Sequence, residues 1–158
     1  MREVTQRGLD FIIRHEGMRL TPYRDSAGLL TIGVGHLLTR SELSSGKIKL
    51  GHDSVRWADG ITREQAMAIL RNDLYLAEEA AERDGRGLSD NKFDALVSFI
   101  FNVGVSAYEG STLRRCIFTT ALDDVPTQML RWTRAAGVVV AGLVRRRQDE
   151  AALWNAAA

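Results

Sequence analysis

The chain has 158 residues, 45% of them apolar and 26% charged, with a formal net charge of +1. That balance suits one globular domain, or two lobes sharing a core, and is too apolar for a disordered chain. It lacks the basic excess of a nucleic-acid-binding domain. Its single cysteine, Cys116, excludes an internal disulfide and reads as a small core residue.

The opening "MREVTQRGLDFII" carries Glu3 and Asp10 and only a short apolar run. This is not a secretory leader, and no stretch reaches the roughly 18 apolar residues of a membrane span. The sequence therefore places the protein in the cytoplasm of the cell that makes it. From Val4 to Glu16 the apolar positions Leu9, Phe11, Ile12 and Ile13 predict a short helix stopped by Gly17. Pro22 blocks its resumption, and "DSAG" (25–28) is turn chemistry. "LLTIGVGH" (29–36) alternates, with Leu30, Ile32, Val34 and His36 on one face of a strand and Thr31, Gly33 and Gly35 on the other. Glycines inside a strand mark close approach of a ligand, or a bulge or hairpin bend; both readings stand at this point.

Residues 41–60 are polar and glycine-containing, which predicts a loop with a short helical turn. "TREQ" (62–65) matches a capping box, in which Thr62 and Gln65 satisfy each other's backbone amides. The helix it opens, with Ala66, Ile69, Leu70, Leu74 and Ala77 apolar, runs to about Arg83. Twenty such residues span ~30 Å, enough to connect two lobes. "SDNKFDALVSFIFNVG" has Ser89 as a cap, becomes apolar nearly all round as a buried central helix does, and stops at Gly104. Further helices are expected at about 112–120, at 125–136 (Asp124 as cap, Pro126 in the first turn, Gly137 as stop) and at 143–155, with "GVVVAG" as an apolar connector. Beyond Thr112 seven arginines face four acids, a surplus that a solvated helix face accounts for. The fold class is α+β, mainly α, with a small β element near the N-terminus.

The stretch Glu16–Thr31 holds two carboxylates in contrasting settings. Glycosidic hydrolysis needs one carboxylic acid to protonate the leaving oxygen and a second carboxylate to guide water or attack the sugar. Glu16 closes a helix, where the negative end of the macrodipole disfavours charge. Asp25 sits in a polar turn that favours its ionised form, and the Thr31 hydroxyl can hold a water without carrying charge. Such a contrast is the pattern of an acid/base pair.

The order Glu16, Asp25, Thr31, followed by "TIGVGHLLT" (31–39), resembles the catalytic triad and β-hairpin of phage-type lysozymes, the endolysin muramidases of the T-even phage family (glycoside hydrolase family 24). "ITREQAMAILRNDL" (61–74) is similar to that family's inter-lobe helix, "NKFDALVSFIFNVG" (91–104) with "STL" (111–113) to its core helix and cleft turn, and "LVRRRQDEAALW" (143–154) to its last helix. The resemblance implies a lysozyme-like two-lobed domain over 1–158. Its N-lobe would span about 17–61, its long helix about 62–83, and its helical C-lobe about 84–158 together with the helix at 4–16. It further implies an endolysin that lyses the host cell by cutting the β-1,4 bond between N-acetylmuramic acid and N-acetylglucosamine of peptidoglycan, without cofactor or metal. Carried over by position, Glu16 is the general acid, Asp25 the second carboxylate and Thr31 the holder of the hydrolytic water, an inverting arrangement. Gly33, Gly35, His36, Leu37, Phe101, Asn102, Ser111 and Thr112 are the implied substrate-binding residues. His36 and Asp73 form an ion pair in the family, and one of Arg145, Arg146 and Arg147 approaches the acid. The implied protein is a monomer acting on glycan strands and reaching the wall through a holin pore.

Two other readings stay open on sequence grounds. A lytic transglycosylase needs only one acid. A wall-binding or membrane-disrupting protein without enzymatic activity could use Arg145–Arg147 and "AALWNAAA" as a cationic amphipathic helix, although a terminal helix docked on the core is the default. A zinc amidase is not supported, since His15, His36, His52 and Cys116 show no compact ligand spacing.

Overall fold

The structure is a computed structural model and describes Met1–Ala157. The described chain divides into two compact units, one of Met1–Ile12 with residues 76–157, the other Ile13–Tyr75. Helix α1 (Gln6–Glu16) gives its first part to one unit and its last turn to the other, and the 22-residue α3 (Arg63–Asp84) is divided between them after Tyr75.

The Ile13–Tyr75 unit is the mixed one. Gly17 ends α1 in the left-handed region (φ +75), with its N–H donating to the Ile13 carbonyl at 2.8 Å. An antiparallel sheet follows, of β1 (Arg19–Arg24), β2 (Leu30–Gly33) and β3 (His36–Leu37) in that order, with Ile32 opposite His36 and Thr31 opposite both Tyr23 and Leu37. The alternation expected to run on through His36 breaks at Val34–Gly35, where Gly33 and Gly35 turn the chain with φ +66 and +67. The hairpin bend is thus the reading the structure selects. Residues 41–60, expected as a loop, are more ordered than that. They contain α2 (Arg40–Ser45), opened by a capping box between Thr39 and Glu42, then β4 (Lys47–Leu50) paired antiparallel with β5 (Asp53–Arg56) and a 3-10 turn at Trp57–Asp59. Ile48, on one face of this hairpin, joins Ile32, Leu38, Ile61, Ala66 and Ile69 in a core cluster. The Thr62–Gln65 capping box starts α3 as expected, at 2.8 and 3.2 Å.

The other unit is helical. α4 (Asp90–Val103) buries Phe93 and every residue from Ala95 to Ile100, which explains its all-round apolar sequence. Around it lie α5 (Val105–Glu109), α6 (Thr112–Phe118), α7 (Val125–Met129) and α8 (Ala141–Asn155), with α8 packed against both α4 and α7. Ser89 stands at the α4 N-cap without a side-chain bond. The expected helix over 125–136 ends at Met129, Asp124 makes no capping bond, and Gly137 is not its stop. Instead β6 (Arg134–Ala135) and β7 (Val138–Val139) form a hairpin whose two turn residues, Ala136 and Gly137, both have positive φ (+47 and +79). Two left-handed residues give the twist a two-residue hairpin needs, and the β-branched run at 138–140 suits a strand better than a helix. Cys116 is half-buried rather than central. No helix among the described residues is long and apolar enough to cross a membrane.

Candidate active site

The first three candidates all fall in the Ile13–Tyr75 unit. Asp25 opens the β1–β2 turn, where its Oδ1 accepts the backbone N–H groups of both Ala27 and Leu29 at 2.9 Å. The turn is closed by main-chain bonds from Asp25 N–H to the Leu29 carbonyl and from Gly28 N–H to the Asp25 carbonyl, each 2.9 Å. A short polar side chain that satisfies its own following amides is why aspartate suits this position. Two amide donors on one oxygen fix the direction of the carboxylate. Thr31, only 3% exposed, donates its hydroxyl proton to the same Leu29 carbonyl at 3.1 Å. The Leu29 backbone, through its N–H and its carbonyl, therefore ties Asp25 to Thr31, and the lone pairs of the Thr31 hydroxyl are left to accept a bond.

Glu16, the last residue of α1, is half-buried. Gly35 comes so close that a Cβ built there would stand 3.0 Å from Glu16 Oε2. The β2–β3 turn thus brings the hairpin that carries Thr31 against the Glu16 carboxylate, and only glycine satisfies both that approach and the positive φ. Gly33 behaves differently. A side chain there would meet Ile61 and Ala66, so this glycine faces the core.

His36 is held by two carboxylates, its Nδ1 2.8 Å from Asp73 Oδ2 and its Nε2 3.1 Å from Glu42 Oε2. The pair with Asp73 agrees with the sequence reading. Glu42 is a residue that reading missed, although "TRSE" (39–42) carries the capping-box spacing that would have found it. Burial pushes the His36 imidazole toward its neutral form, but Asp73 and Glu42 outweigh it and hold the pKa above 6.5. Burial also raises the Glu42 carboxyl, and the Thr39 and His36 hydrogen bonds override it and leave the pKa below 4.5. With both nitrogens engaged, His36 is built as a strut. Leu37, opposite Thr31, is 48% exposed.

The remaining candidates belong to the helical unit. Phe101 and Asn102 lie half-buried in the last turn of α4, and Asn102 Oδ1 accepts from Arg147 Nη2 at 2.6 Å. Asn102 also lines a cavity of about 310 Å³ with Val103, Trp132, Arg134, Ala135 and Leu143. Ser111 caps α6, accepting from Arg114 N–H at 3.0 Å and donating to the Tyr108 carbonyl at 2.6 Å, while Thr112 beside it is exposed. Of the three arginines, Arg146 and Arg147 are buried around Glu150. Arg146 Nε lies 3.1 Å from Glu150 Oε1 and Arg147 Nε 3.0 Å from Oε2, and Ser98 donates to Oε1 at 2.7 Å. Burial pushes the Glu150 carboxyl up, against the pull of the two guanidiniums and the Ser98 hydroxyl. With Arg146, Arg147 and Trp154 all buried, α8 presents no cationic amphipathic face to a membrane, and the docked-helix default is correct.

A phage lysozyme family model matches residues 13–150, a span that contains Glu16, the two glycine turns and the arginine cluster. The chain belongs to the phage lysozyme family. Among proteins it resembles, the endolysin of Salmonella phage P22 is 36% identical over 152 residues, covering 96% of this chain and 97% of that one. A crystal structure of a P22 lysozyme mutant superposes with a TM-score of 0.80 at 34% identity, over 99% of this chain and all of that one. The muramidase domain of SpmX from Asticaccaulis excentricus does so with a TM-score of 0.78 at 30% identity, over the same shares. Membership makes the protein a glycoside hydrolase with an α+β, mainly helical lysozyme fold, acting on peptidoglycan.

Proposed function

We propose that this phage lysozyme is an endolysin muramidase that hydrolyses the N-acetylmuramic acid–N-acetylglucosamine β-1,4 bond with Glu16 as general acid, Asp25 as general base and Thr31 as the water's second anchor. The observation that carries the reading is the Asp25–Leu29–Thr31 linkage. The Thr31 proton is committed to the Leu29 carbonyl, so a water bound there donates to Thr31 Oγ1. Its other proton goes to the Asp25 carboxylate, and its free lone pair is left to attack the anomeric carbon. Glu16 gives its proton to the departing sugar oxygen, and Asp25 ends with the water's proton, which inverts the anomeric centre. Retention would instead require Asp25 to form a bond to the sugar. A carboxylate whose direction is set by two amides, beside a hydroxyl free to accept, suits a water better than a covalent partner. Gly35 supports the reading by admitting the Glu16 carboxylate to the hairpin.

The test is digestion of purified peptidoglycan. Glu16→Gln is expected to lower the rate by ~10²–10⁴ while the fold is retained by circular dichroism. Mass spectrometry should find hydrated reducing ends, and NMR of the first product should find the α-anomer. Anhydro-muramyl ends would instead establish a lytic transglycosylase. Release from the host through a membrane pore, and action as a monomer, complete the proposal.

A further inference from the structure

The register of the β4–β5 hairpin sorts its side chains into two faces. Ile48, Leu50 and Val55 pack on the core, and Lys47, Lys49, Ser54 and Arg56 share the outward face. Lys47 stands directly opposite Arg56. Like charges so placed in a two-stranded sheet oppose folding, and all three cations of this face are exposed. Arg56 has only the exposed Asp59 beside it at 3.3 Å, and neither lysine has an ion-pair partner among the described residues. A protein of net charge +1 thus concentrates positive charge where it costs stability.

The same lysines border a groove of about 400 Å³ lined also by Thr39, Ser41, Ser45 and Ser54. Its one acid, Glu42, is occupied, since Oε2 accepts from the Thr39 amide and hydroxyl and faces His36. Asp53 lies on the opposite face, in register with Leu50. What remains for a ligand is two ammonium groups and the hydroxyls of Ser41 and Ser54, since those of Thr39 and Ser45 are bonded within the protein. The groove is linked to the proposed catalytic hairpin through Glu42, which lines it and meets His36, itself paired with Ile32 next to Thr31.

We propose that this groove and cationic face dock the carboxylate-bearing stem peptides of peptidoglycan, a subsite for the peptide distinct from the groups that cut the glycan. The proposal rests on the muramidase reading, because that reading makes a polymer hung with short acidic peptides the substrate. The ammonium groups meet peptide carboxylates, and the hydroxyls meet peptide amides. Long-range attraction of this kind weakens as salt screens it.

The experiment compares wild type with the triple variant Lys47→Gln/Lys49→Gln/Arg56→Gln by co-sedimentation with purified sacculi on ice, in low and high salt. The variant is expected to bind about tenfold more weakly at low salt, and the difference should vanish near about 0.5 M NaCl. Lys47→Arg/Lys49→Arg should bind as wild type. Glycan stripped of stem peptides by an amidase should retain wild type and triple variant equally, and both should cut a short soluble glycan at the same rate. Equal low-salt binding of the triple variant and wild type to intact sacculi would overturn the proposal. So would a difference that survives stripping, or competition by inorganic polyphosphate but not by free stem peptide. Failure of the muramidase reading has a separate signature, namely that neither protein cuts the soluble glycan.

Discussion

Two charged clusters of this lysozyme, one in each unit, are built on opposite principles. In the helical unit Glu150, fully buried, is enclosed by Arg146, Arg147 and Ser98. In the mixed unit His36 lies between Asp73 and Glu42, its side chain 10% exposed and theirs 25% and 16%. Guanidiniums stay charged at any working pH, whereas imidazole changes charge near neutrality. The first cluster is therefore part of the packing around α4 with cations that are always charged, and the second has a cation that changes charge beside the hairpin that carries Thr31.

The strongest challenge to that contrast is Glu150→Ala. It removes the carboxylate that two buried guanidiniums face and is expected to cost about 3–5 kcal/mol of unfolding free energy in a denaturant titration at pH 7. A loss within about 0.5 kcal/mol, the size expected of a surface substitution, would mean the cluster does not hold that packing. Next comes Gly35→Ala, in the mixed unit. The left-handed backbone penalises it by ~1–2 kcal/mol, and the new methyl group presses on Glu16 Oε2. Peptidoglycan turnover should fall by about 10², because a displacement of an ångström at a reacting group has that effect. Wild-type turnover would remove Gly35 from the site.

His36→Asn sharpens the comparison with a sign. The folded-state pKa of His36 lies above 6.5, so its stabilisation is complete below that pH and is lost as the pH rises through the raised value. The pKa of Glu42 lies below 4.5, so its share is present above that pH and disappears as the pH falls through the lowered value. The variant should thus be less stable by ~1–2 kcal/mol between pH 4.5 and 6.5, and the gap should narrow in alkali. A gap unchanged at pH 9 would refute the imidazolium assignment. The smallest effect is expected of Thr62→Ala, which removes one arm of the α3 capping box and should cost about 1 kcal/mol without altering turnover.

Those elements also mark what a sequence reader can and cannot see. The stop at Gly17, the Thr62–Gln65 box and the buried α4 were legible because each is a local device with its own residue signature. The hairpins at 47–56 and 134–139 were not. In the first, alternate positions are lysine, serine and arginine, so the polar side masked a two-residue period. In the second, the helical spacing of Val125–Met129 drew the reading past Leu130 into a turn. The candidate triad became legible through the resemblance of its order and hairpin to phage-type lysozymes, since a glutamate, an aspartate and a threonine taken singly are ordinary surface residues. The reach of Gly35 to Glu16, and of Glu42 to His36, depends on how the turns fold back, which composition does not encode. Ser111, singled out for substrate, also caps α6, a local role its position before the helix makes readable.

The anchoring of Asp25 by the amides of Ala27 and Leu29 has an evolutionary corollary. Main-chain N–H groups are offered by nearly every amino acid, so the identities of Ser26 and Ala27, both exposed, are free to drift. Loop length is not. Inserting or deleting a single residue between Asp25 and Leu29 would swing the carboxylate away while leaving its letter intact. In this segment selection should act on the count of residues more strictly than on their kind.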